Sequence, residues 1–191
     1  MHKSDRCFVN QRQVGRDARS FNDALVEAMR QDPDVILVGE IRDTETVRTA
    51  LRAAETGHLV FTTLHAGDCA GAVERIVSVF PADEQNSVRR QLAMVLRGIV
   101  AQHLVVSADG TRRHAVAEVM VNTTGISNLI ATGRTAQIAS AIETGGNVGM
   151  RSLEESLAEL LFAGAVTERD AFLLTRNPET LQRRLYGDDE A

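Results

Sequence analysis

Two apolar runs, each ending in charged or proton-transferring residues, constrain most strongly how this 191-residue chain can fold. The first lies in Asp32–Asp43 (DPDVILVGEIRD) and the second in Ala54–Ala66 (AETGHLVFTTLHA). A continuous aliphatic run of this length is typical of a strand that is buried on both faces. Between them, Asp43–Glu55 begins with acidic residues, which the dipole of a helix favours at its amino end. The runs therefore predict two buried strands, Val35–Val38 and Leu59–Thr63, joined by a helix.

The remaining segments alternate between strands and helices at first and then become helical throughout. Before the first run we expect a strand at Cys7–Gln11 and a helix at Ser20–Gln31 that the Ser20 side chain caps. After the second run we expect helices at Asp68–Val77 and Asp83–Ala101, then strands at His103–Ser107 and His114–Val121 around an Asp-Gly turn. From Thr124 onward only helices are predicted: Thr124–Thr132, Thr135–Glu143, Ser152–Ala163, Thr167–Thr175 and Pro178–Leu185. This order predicts a parallel α/β core followed by a C-terminal helical bundle.

The sequence has no phosphate-binding loop of the GxxxxGK[ST] type, and Lys3 is its only lysine. A loop of that type places a lysine ammonium on the β- and γ-phosphates, and Lys3 has no glycine-rich segment beside it. The two apolar runs are nevertheless typical of the core of a nucleotide-hydrolysing sheet. We therefore expect the chain to supply the catalytic side of such a sheet, with the phosphate-cradling side outside this sequence.

Composition narrows the functional classes further. The formal net charge of −5 argues against a nucleic-acid-binding surface. Cys7 and Cys69 have no CxxC partner and no histidine at ligand spacing, so neither a zinc site nor a disulfide framework is indicated. Unlinked cysteines make a reduced, cytosolic compartment the default. No apolar run approaches the ~18 residues needed to span a bilayer.

Glu40 is the sharpest catalytic candidate, because it follows the first predicted strand directly after Gly39. Open α/β sheets bind ligands at the carboxyl ends of their strands. A carboxylate there can polarise an attacking water or hold the water shell of a metal ion, with no direct metal ligand required of the protein. The alternative interpretation is a simple negative charge at the amino end of the next helix.

His65 stands just past the second predicted strand, where Thr62 and Thr63 would place hydroxyl groups beside it. Such a row is suited to sensing a γ-phosphate and reporting its hydrolysis. His58 lies at the opposite end of the same strand, so both histidines cannot touch one phosphate. For His58 a structural or intersubunit role stays as open as a nucleotide contact.

Arginines near the predicted strand ends are the remaining candidates. Arg42 and Arg48 could each reach a neighbouring subunit's nucleotide as an arginine finger. The commoner fate of such arginines is an ion pair with a nearby carboxylate, here Asp43 or Glu45, and for Arg48 we favour it. Gln11 and Arg12 end the first predicted strand at the same rim, and their spacing alone assigns them no role.

Several segments taken together resemble the PilT-type retraction ATPases of type IV pili, within the secretion-ATPase superfamily. The resemblance covers nearly the whole chain. The segments that carry it are NQRQVG (Asn10–Gly15), RQDPDVILVGEIRDTET (Arg30–Thr46), AAETGHLVFTTLHA (Ala53–Ala66), FPADEQNSVRRQLAMVLRGIVAQHL (Phe80–Leu104) and GMRSLEESLAELLFAGAVTERDA (Gly149–Ala171).

The resemblance implies a RecA-like P-loop NTPase core at residues 1–122 and a C-terminal helical region at residues 123–191. It implies a hexameric ring of pilus ATPase subunits that hydrolyses ATP with Mg²⁺ and acts on an inner-membrane platform protein. The motor would be cytoplasmic and held peripherally at the membrane through its partners. Glu40 corresponds to the Walker B glutamate, and His58 and His65 to the histidines of the His box.

The chain departs from the family pattern in two places. The family's N-terminal PAS-like domain, Walker A loop and acidic Asp box would all precede Met1, so we expect an incomplete core that is inactive alone. The family's AIRNLIRE segment appears here as GISNLIAT (Gly125–Thr132), with its charges replaced at Ser127, Ala131 and Thr132. Ile126, Leu129 and Ile130 form an apolar ridge at i, i+3 and i+4, so we expect this segment to pack as a helix. We expect the altered positions to be exposed, so that their changes affect motor output rather than folding. Two alternatives stay open: a non-catalytic regulatory subunit, and a truncated remnant of a pilus or type II secretion ATPase.

Overall fold

A computed structural model describes residues 5–187, which form two compact units that divide between Leu64 and His65. The first unit contains two helices and two strands in alternation: α1 (Phe21–Met29), β1 (Val35–Val38), α2 (Thr44–Glu55) and β2 (Leu59–Thr62). β1 and β2 pair in parallel, with Val35 opposite Leu59 and Val38 opposite Thr62. The predicted parallel α/β arrangement is therefore confirmed for this part of the chain.

Side-chain caps explain where the helices of the first unit begin. The Ser20 hydroxyl accepts a hydrogen bond from the Asp23 N–H at 3.0 Å, as the predicted cap of α1 requires. The Asp43 carboxylate accepts from both the N–H and the hydroxyl of Thr46 at the start of α2, each at 2.8 Å. Both caps satisfy amide groups that have no partner within the helix.

Only one face of the β1–β2 sheet is covered. Ile36 and Val38 are buried and pack with Leu25, Ala50 and Ala53 of the two helices. The opposite face is apolar and exposed, and its four side chains retain 53%, 64%, 42% and 53% of their accessible surface at Val35, Leu37, Leu59 and Phe61 respectively. The prediction that both strands are buried on both faces is therefore wrong, because α1 and α2 lie on one side only.

The predicted strand at Cys7–Gln11 is also wrong. In the described part of the chain, residues 8–13 belong to no helix or strand, and Phe8 is almost fully exposed. A strand needs a neighbour that accepts and donates its backbone hydrogen bonds. β1 and β2 form a two-stranded sheet with each other, so this segment gains no ladder from them.

The second unit combines an antiparallel hairpin with helices. Its elements in the described residues are α3 (Cys69–Ser78), α4 (Ala82–Val95), β3 (Gly98–Val106), β4 (Arg113–Val121), α5 (Thr124–Ala131), α6 (Ile138–Thr144), α7 (Leu153–Phe162), α8 (Glu168–Leu174) and α9 (Pro178–Tyr186). Two short 3₁₀ turns, Thr135–Gln137 and Gly146–Val148, flank α6. The five helices predicted after residue 123 are confirmed.

The helix predicted at Asp83–Ala101 is too long, because its last residues belong to β3. Gly98 pairs with Val121, and the strand continues from there to Val106 opposite Arg113. A Cβ at Gly98 would lie 2.8 Å from the Met120 carbonyl oxygen, so glycine permits the close approach of the two strands. The β-branched Ile99 and Val100 favour the extended conformation as well.

The hairpin and the last three helices share one core. Val105 and Val116 of the hairpin pack with Leu153 and Leu157 of α7 and with Leu181 of α9. The segment before α7 also joins β4 through the backbone, where Val119 and Arg151 exchange hydrogen bonds of 2.8 and 2.9 Å. The predicted boundary between residues 122 and 123 stays a prediction.

The GISNLIAT segment forms α5 as expected, but its altered positions differ in their surroundings. Ile126 and Ile130 are buried, as the predicted apolar ridge requires. Ser127 is partly buried, and its hydroxyl donates to the Ala93 carbonyl oxygen of α4 at 2.8 Å. The expectation that all the altered positions are exposed is therefore wrong for Ser127, whereas Thr132 is exposed.

No helix in residues 5–187 is both long enough and apolar enough to cross a lipid bilayer. No group of three or more histidine, cysteine, aspartate or glutamate side chains in that range is arranged to hold a metal ion.

Candidate functional site

The loop between β1 and α2 carries the main acidic candidate. Glu40 follows the end of β1 by two residues, and its side chain retains 22% of its accessible surface. The Arg42 guanidinium donates a hydrogen bond to the Glu40 carboxylate at 2.5 Å. This hydrogen bond, together with the attraction between the two charges, raises the pKa of Arg42 above its ordinary value. The carboxylate thus lies at the carboxyl end of the strand with a cation beside it.

Thr63 ties this loop to the end of β2. Its hydroxyl donates to the Gly39 carbonyl oxygen at 2.5 Å, and its own carbonyl accepts from the Ile41 N–H at 3.3 Å. Thr62 lies opposite Val38 in the sheet register, immediately before Thr63. The carboxyl ends of both strands therefore meet at one edge, where ligands bind in open α/β sheets. The roles predicted for these side chains stay predictions.

The neighbouring carboxylates are engaged elsewhere in the first unit. Asp43 caps α2, and Glu45 accepts a hydrogen bond from the Asn22 amide at 2.8 Å. The ion pair that Arg42 forms is therefore with Glu40 rather than with either carboxylate named in the sequence analysis. Arg48 is partly buried on α2.

His58 lies at the start of β2, at the opposite end of the strand from Thr62 and Thr63. Its Nδ1 atom is 3.0 Å from the Ala53 carbonyl oxygen and 3.1 Å from the Thr56 hydroxyl. These contacts fix the turn between α2 and β2. The roles left open for His58 stay predictions.

Gln11 and Arg12 precede the first helix in a segment without regular structure. Arg12 lines a groove together with a second arginine, Arg19, and three carboxylate side chains, those of Asp17, Asp23 and Glu27. Charges of both signs therefore surround Arg12, and its predicted role at the nucleotide stays a prediction.

His65 is the first residue of the second unit and is exposed, whereas Glu40 lies in the first unit. The loop Ala66–Asp68 leads from His65 into α3. Asp68 caps that helix by accepting a hydrogen bond from the Gly71 N–H. His65 thus lies three residues before the residue that caps α3.

Two residues that the sequence analysis did not select contact this loop. The His103 Nε2 atom is 2.8 Å from the Gly67 carbonyl oxygen, and the Arg176 guanidinium donates to the same oxygen and to Asp68. Nothing in the sequence near His103 or Arg176 indicates a role at this loop. They lie 36 and 109 residues from Gly67 along the chain, so no local pattern could have indicated these contacts.

The chain is similar in sequence to known proteins. A family model described as type II/IV secretion system protein matches residues 8–167. The chain is 46% identical over 179 residues to the type IV pilus retraction ATPase PilT of Pseudomonas aeruginosa, which covers 94% of this chain and 52% of that protein. It is 42% identical over 181 residues to a twitching motility protein of Neisseria gonorrhoeae, covering 95% and 48% respectively.

Solved structures of two ATPases are similar to the structure of this chain. A crystal structure of the pilus retraction motor PilT with bound ADP has a TM-score of 0.86 and 42% identity, covering 96% of this chain and 51% of that one. The Legionella pneumophila ATPase DotB has a TM-score of 0.73 and 30% identity, covering 83% and 43%.

The chain belongs to the type II/IV secretion system protein family. Within that family it is homologous to the PilT and twitching motility ATPases, as its sequence segments indicated. It spans about half the length of the relatives it matches.

Proposed function

We propose that this chain supplies the catalytic side of an ATPase motor that powers pilus retraction. The observation that carries the proposal is the edge of the β1–β2 sheet, where the Thr63 hydroxyl donates to the carbonyl of Gly39, the residue before Glu40, in a chain homologous to PilT. Glu40 would act as the Walker B glutamate that orients the attacking water. Its carboxylate accepts a hydrogen bond from Arg42, which supports a fixed position for it at the strand end.

His65 would sense the γ-phosphate, with Thr62 and Thr63 supplying hydroxyls at the strand end. Arg42, His58, Gln11 and Arg12 are proposed as nucleotide or intersubunit contacts. ATP and Mg²⁺ would bind only together with the Walker A segment that the resemblance places elsewhere. The sequence supports that division, because Lys3 is its only lysine and has no glycine-rich segment beside it.

The exposed sheet face supports an incomplete RecA-like core. Parallel sheets are almost always covered on both faces, and a two-stranded sheet is marginally stable by itself. Val35, Leu37, Leu59 and Phe61 form two cross-strand pairs that leave an apolar surface uncovered. We propose that the missing part of the core covers this face. Residues 1–122 would then belong to the core and residues 123–191 to a C-terminal helical bundle.

The whole motor is proposed to be a hexamer with pilus ATPase subunits that acts on an inner-membrane platform protein from the cytoplasmic side. The exposed apolar face also favours the alternative, a non-catalytic subunit that docks onto a full-length relative. In both cases an apolar partner surface would cover the four side chains.

The test joins this chain to the part of P. aeruginosa PilT that it does not match and measures ATP turnover. We expect turnover by the fusion protein and a loss of at least ~100-fold on Glu40→Gln, the usual range for an activating group. Glu55→Gln, at the exposed end of α2, is the matched control and should keep full turnover. Unchanged turnover in Glu40→Gln would refute the role of Glu40, and a correctly assembled but inactive fusion would favour the non-catalytic alternative.

A further inference from the structure

Arg176 connects two segments that are far apart in the sequence but both lie in the second unit. It belongs to the connection between α8 and α9, and its guanidinium donates hydrogen bonds to the Gly67 carbonyl oxygen and the Asp68 carboxylate. Both acceptors lie in the loop that begins immediately after His65. A Cβ at Gly67 would lie 2.7 Å from the guanidinium nitrogen, so the arginine packs directly on this backbone.

A buried carboxylate fixes the connection that carries Arg176. Glu154 of α7 retains 6% of its accessible surface. Its Oε1 atom accepts from the Thr175 hydroxyl at 2.9 Å and from the Arg176 and Asn177 N–H groups at 3.2 Å each. Three donors on one carboxylate oxygen hold the backbone of the connection in place, because a buried charge is stable only when it is hydrogen-bonded.

Hydrogen bonds hold the Ala66–Asp68 loop at both Gly67 and Asp68. The two oxygens of Asp68 are divided between the Gly71 N–H at the start of α3 and the Arg176 guanidinium. The Gly67 carbonyl accepts from Arg176 and from His103, whose Nε2 must carry the proton because a carbonyl only accepts. Both lone pairs of that carbonyl are therefore used.

We propose that Arg176 is a positioning residue that holds the Ala66–Asp68 loop and thereby sets the position of His65. The inference rests on the proposed function in taking His65 as the phosphate sensor. Because Glu154 anchors the α8–α9 connection, a shift of the last three helices is transmitted through Arg176 to the loop. Arg176 thus couples the C-terminal helices to the nucleotide-sensing histidine.

The contact is tested first in the chain as it is, by amide hydrogen exchange measured with NMR. The amides that report on the loop are those of Cys69, which donates to Glu118 at 2.7 Å, and Gly71, which donates to Asp68. We expect Arg176→Gln to accelerate their exchange about 3- to 10-fold, because the charge-assisted hydrogen bonds that hold this partly exposed loop are lost. Asp68→Asn keeps a capping oxygen and should accelerate the Cys69 amide similarly.

Arg184→Gln is the matched control, because Arg184 forms an exposed ion pair with Glu155 at 3.9 Å in the same set of helices. It should leave both amides unchanged. Unchanged exchange in Arg176→Gln would overturn the inference. Equal acceleration throughout α7 would overturn it too, since general destabilisation would then explain the result.

The second test measures turnover in the fusion with PilT. We expect Arg176→Gln to lower kcat about 5-fold with KM changed less than twofold, and Arg176→Lys to restore part of it. In a His65→Ala background, Arg176→Gln should have little further effect, and an undiminished effect would overturn the inference. If His65→Ala alone keeps full turnover, the proposed role of His65 fails. The amide exchange then still decides separately whether Arg176 holds the loop.

Discussion

Ser127 offers the clearest quantitative test of how α5 is attached to its neighbour. Its hydroxyl donates to the Ala93 carbonyl oxygen at 2.8 Å, in a partly buried position between α5 and α4. Ser127→Ala removes one neutral hydrogen bond, which is typically worth about 1 kcal/mol of unfolding free energy. Ser127→Arg removes the same bond and forces a long side chain into the helix contact, where overpacking costs about 1–3 kcal/mol. We therefore expect a total loss of about 2–4 kcal/mol for the arginine.

Calorimetric melting checks these values. For a chain of this size, 1 kcal/mol corresponds to about 2–4 °C in Tm. We expect a decrease of about 2–4 °C for Ser127→Ala and about 4–16 °C for Ser127→Arg. Thr132→Ser, at the exposed end of the same helix, is the control, because it keeps the hydroxyl that donates to the Asn128 carbonyl oxygen. It should change the unfolding free energy by at most about 0.5 kcal/mol. If Ser127→Arg melts with the parent chain, the Ala93 contact contributes nothing and the reasoning is refuted.

Three further predictions concern separate features. The chain alone should show no measurable ATP turnover, since phosphoryl transfer depends on positioning groups that it lacks; steady turnover abolished by Glu40→Gln would contradict this. The Ser107 hydroxyl is the chief cause that lowers the pKa of Asp109 to about 2. The contribution of Asp109 to stability should therefore be present above its ordinary pKa and be lost as pH falls from about 4 to 2. NMR titration should show that Ser107→Ala raises the pKa of Asp109. Cys7 is exposed, whereas Cys69 is buried and burial raises its thiol pKa, so maleimide should label Cys7 at least ~10-fold faster; similar rates would be inconsistent with that burial.

The features that could be predicted from the sequence depend on contacts within a few residues. Ser20 caps α1 through an amide three residues later, and Asp43 does the same for α2. The helices after residue 123 begin in the same way, for example at Ser152 and Thr167, which accept from Glu155 and Asp170. A pattern that is complete within one helical turn can be recognised without knowledge of the fold.

The predictions that were wrong depend on what lies across space. The aliphatic runs at β1 and β2 indicated burial on two faces, but hydrophobicity alone does not say which layers of the sheet this chain supplies. The predicted strand begins later than β3, because the residues from Gly98 to Ala101 were assigned to the preceding helix. Their pairing with β4 across the hairpin determines their conformation instead.

The residues of the candidate site also differ in whether the local sequence could indicate them. Glu40 could be selected because a carboxylate directly after an aliphatic run and a glycine is a local pattern, and the structure shows it at the strand end. Arg176 could not be selected, because its significance arises only when Glu154 fixes its backbone and Gly67 meets its guanidinium. A residue that acts on the reacting atoms is recognisable from its neighbours in sequence, whereas a residue that positions it requires the fold. Variants at Glu40 and Arg176 should accordingly differ in kind, the first abolishing turnover and the second reducing it while the loop exchanges faster.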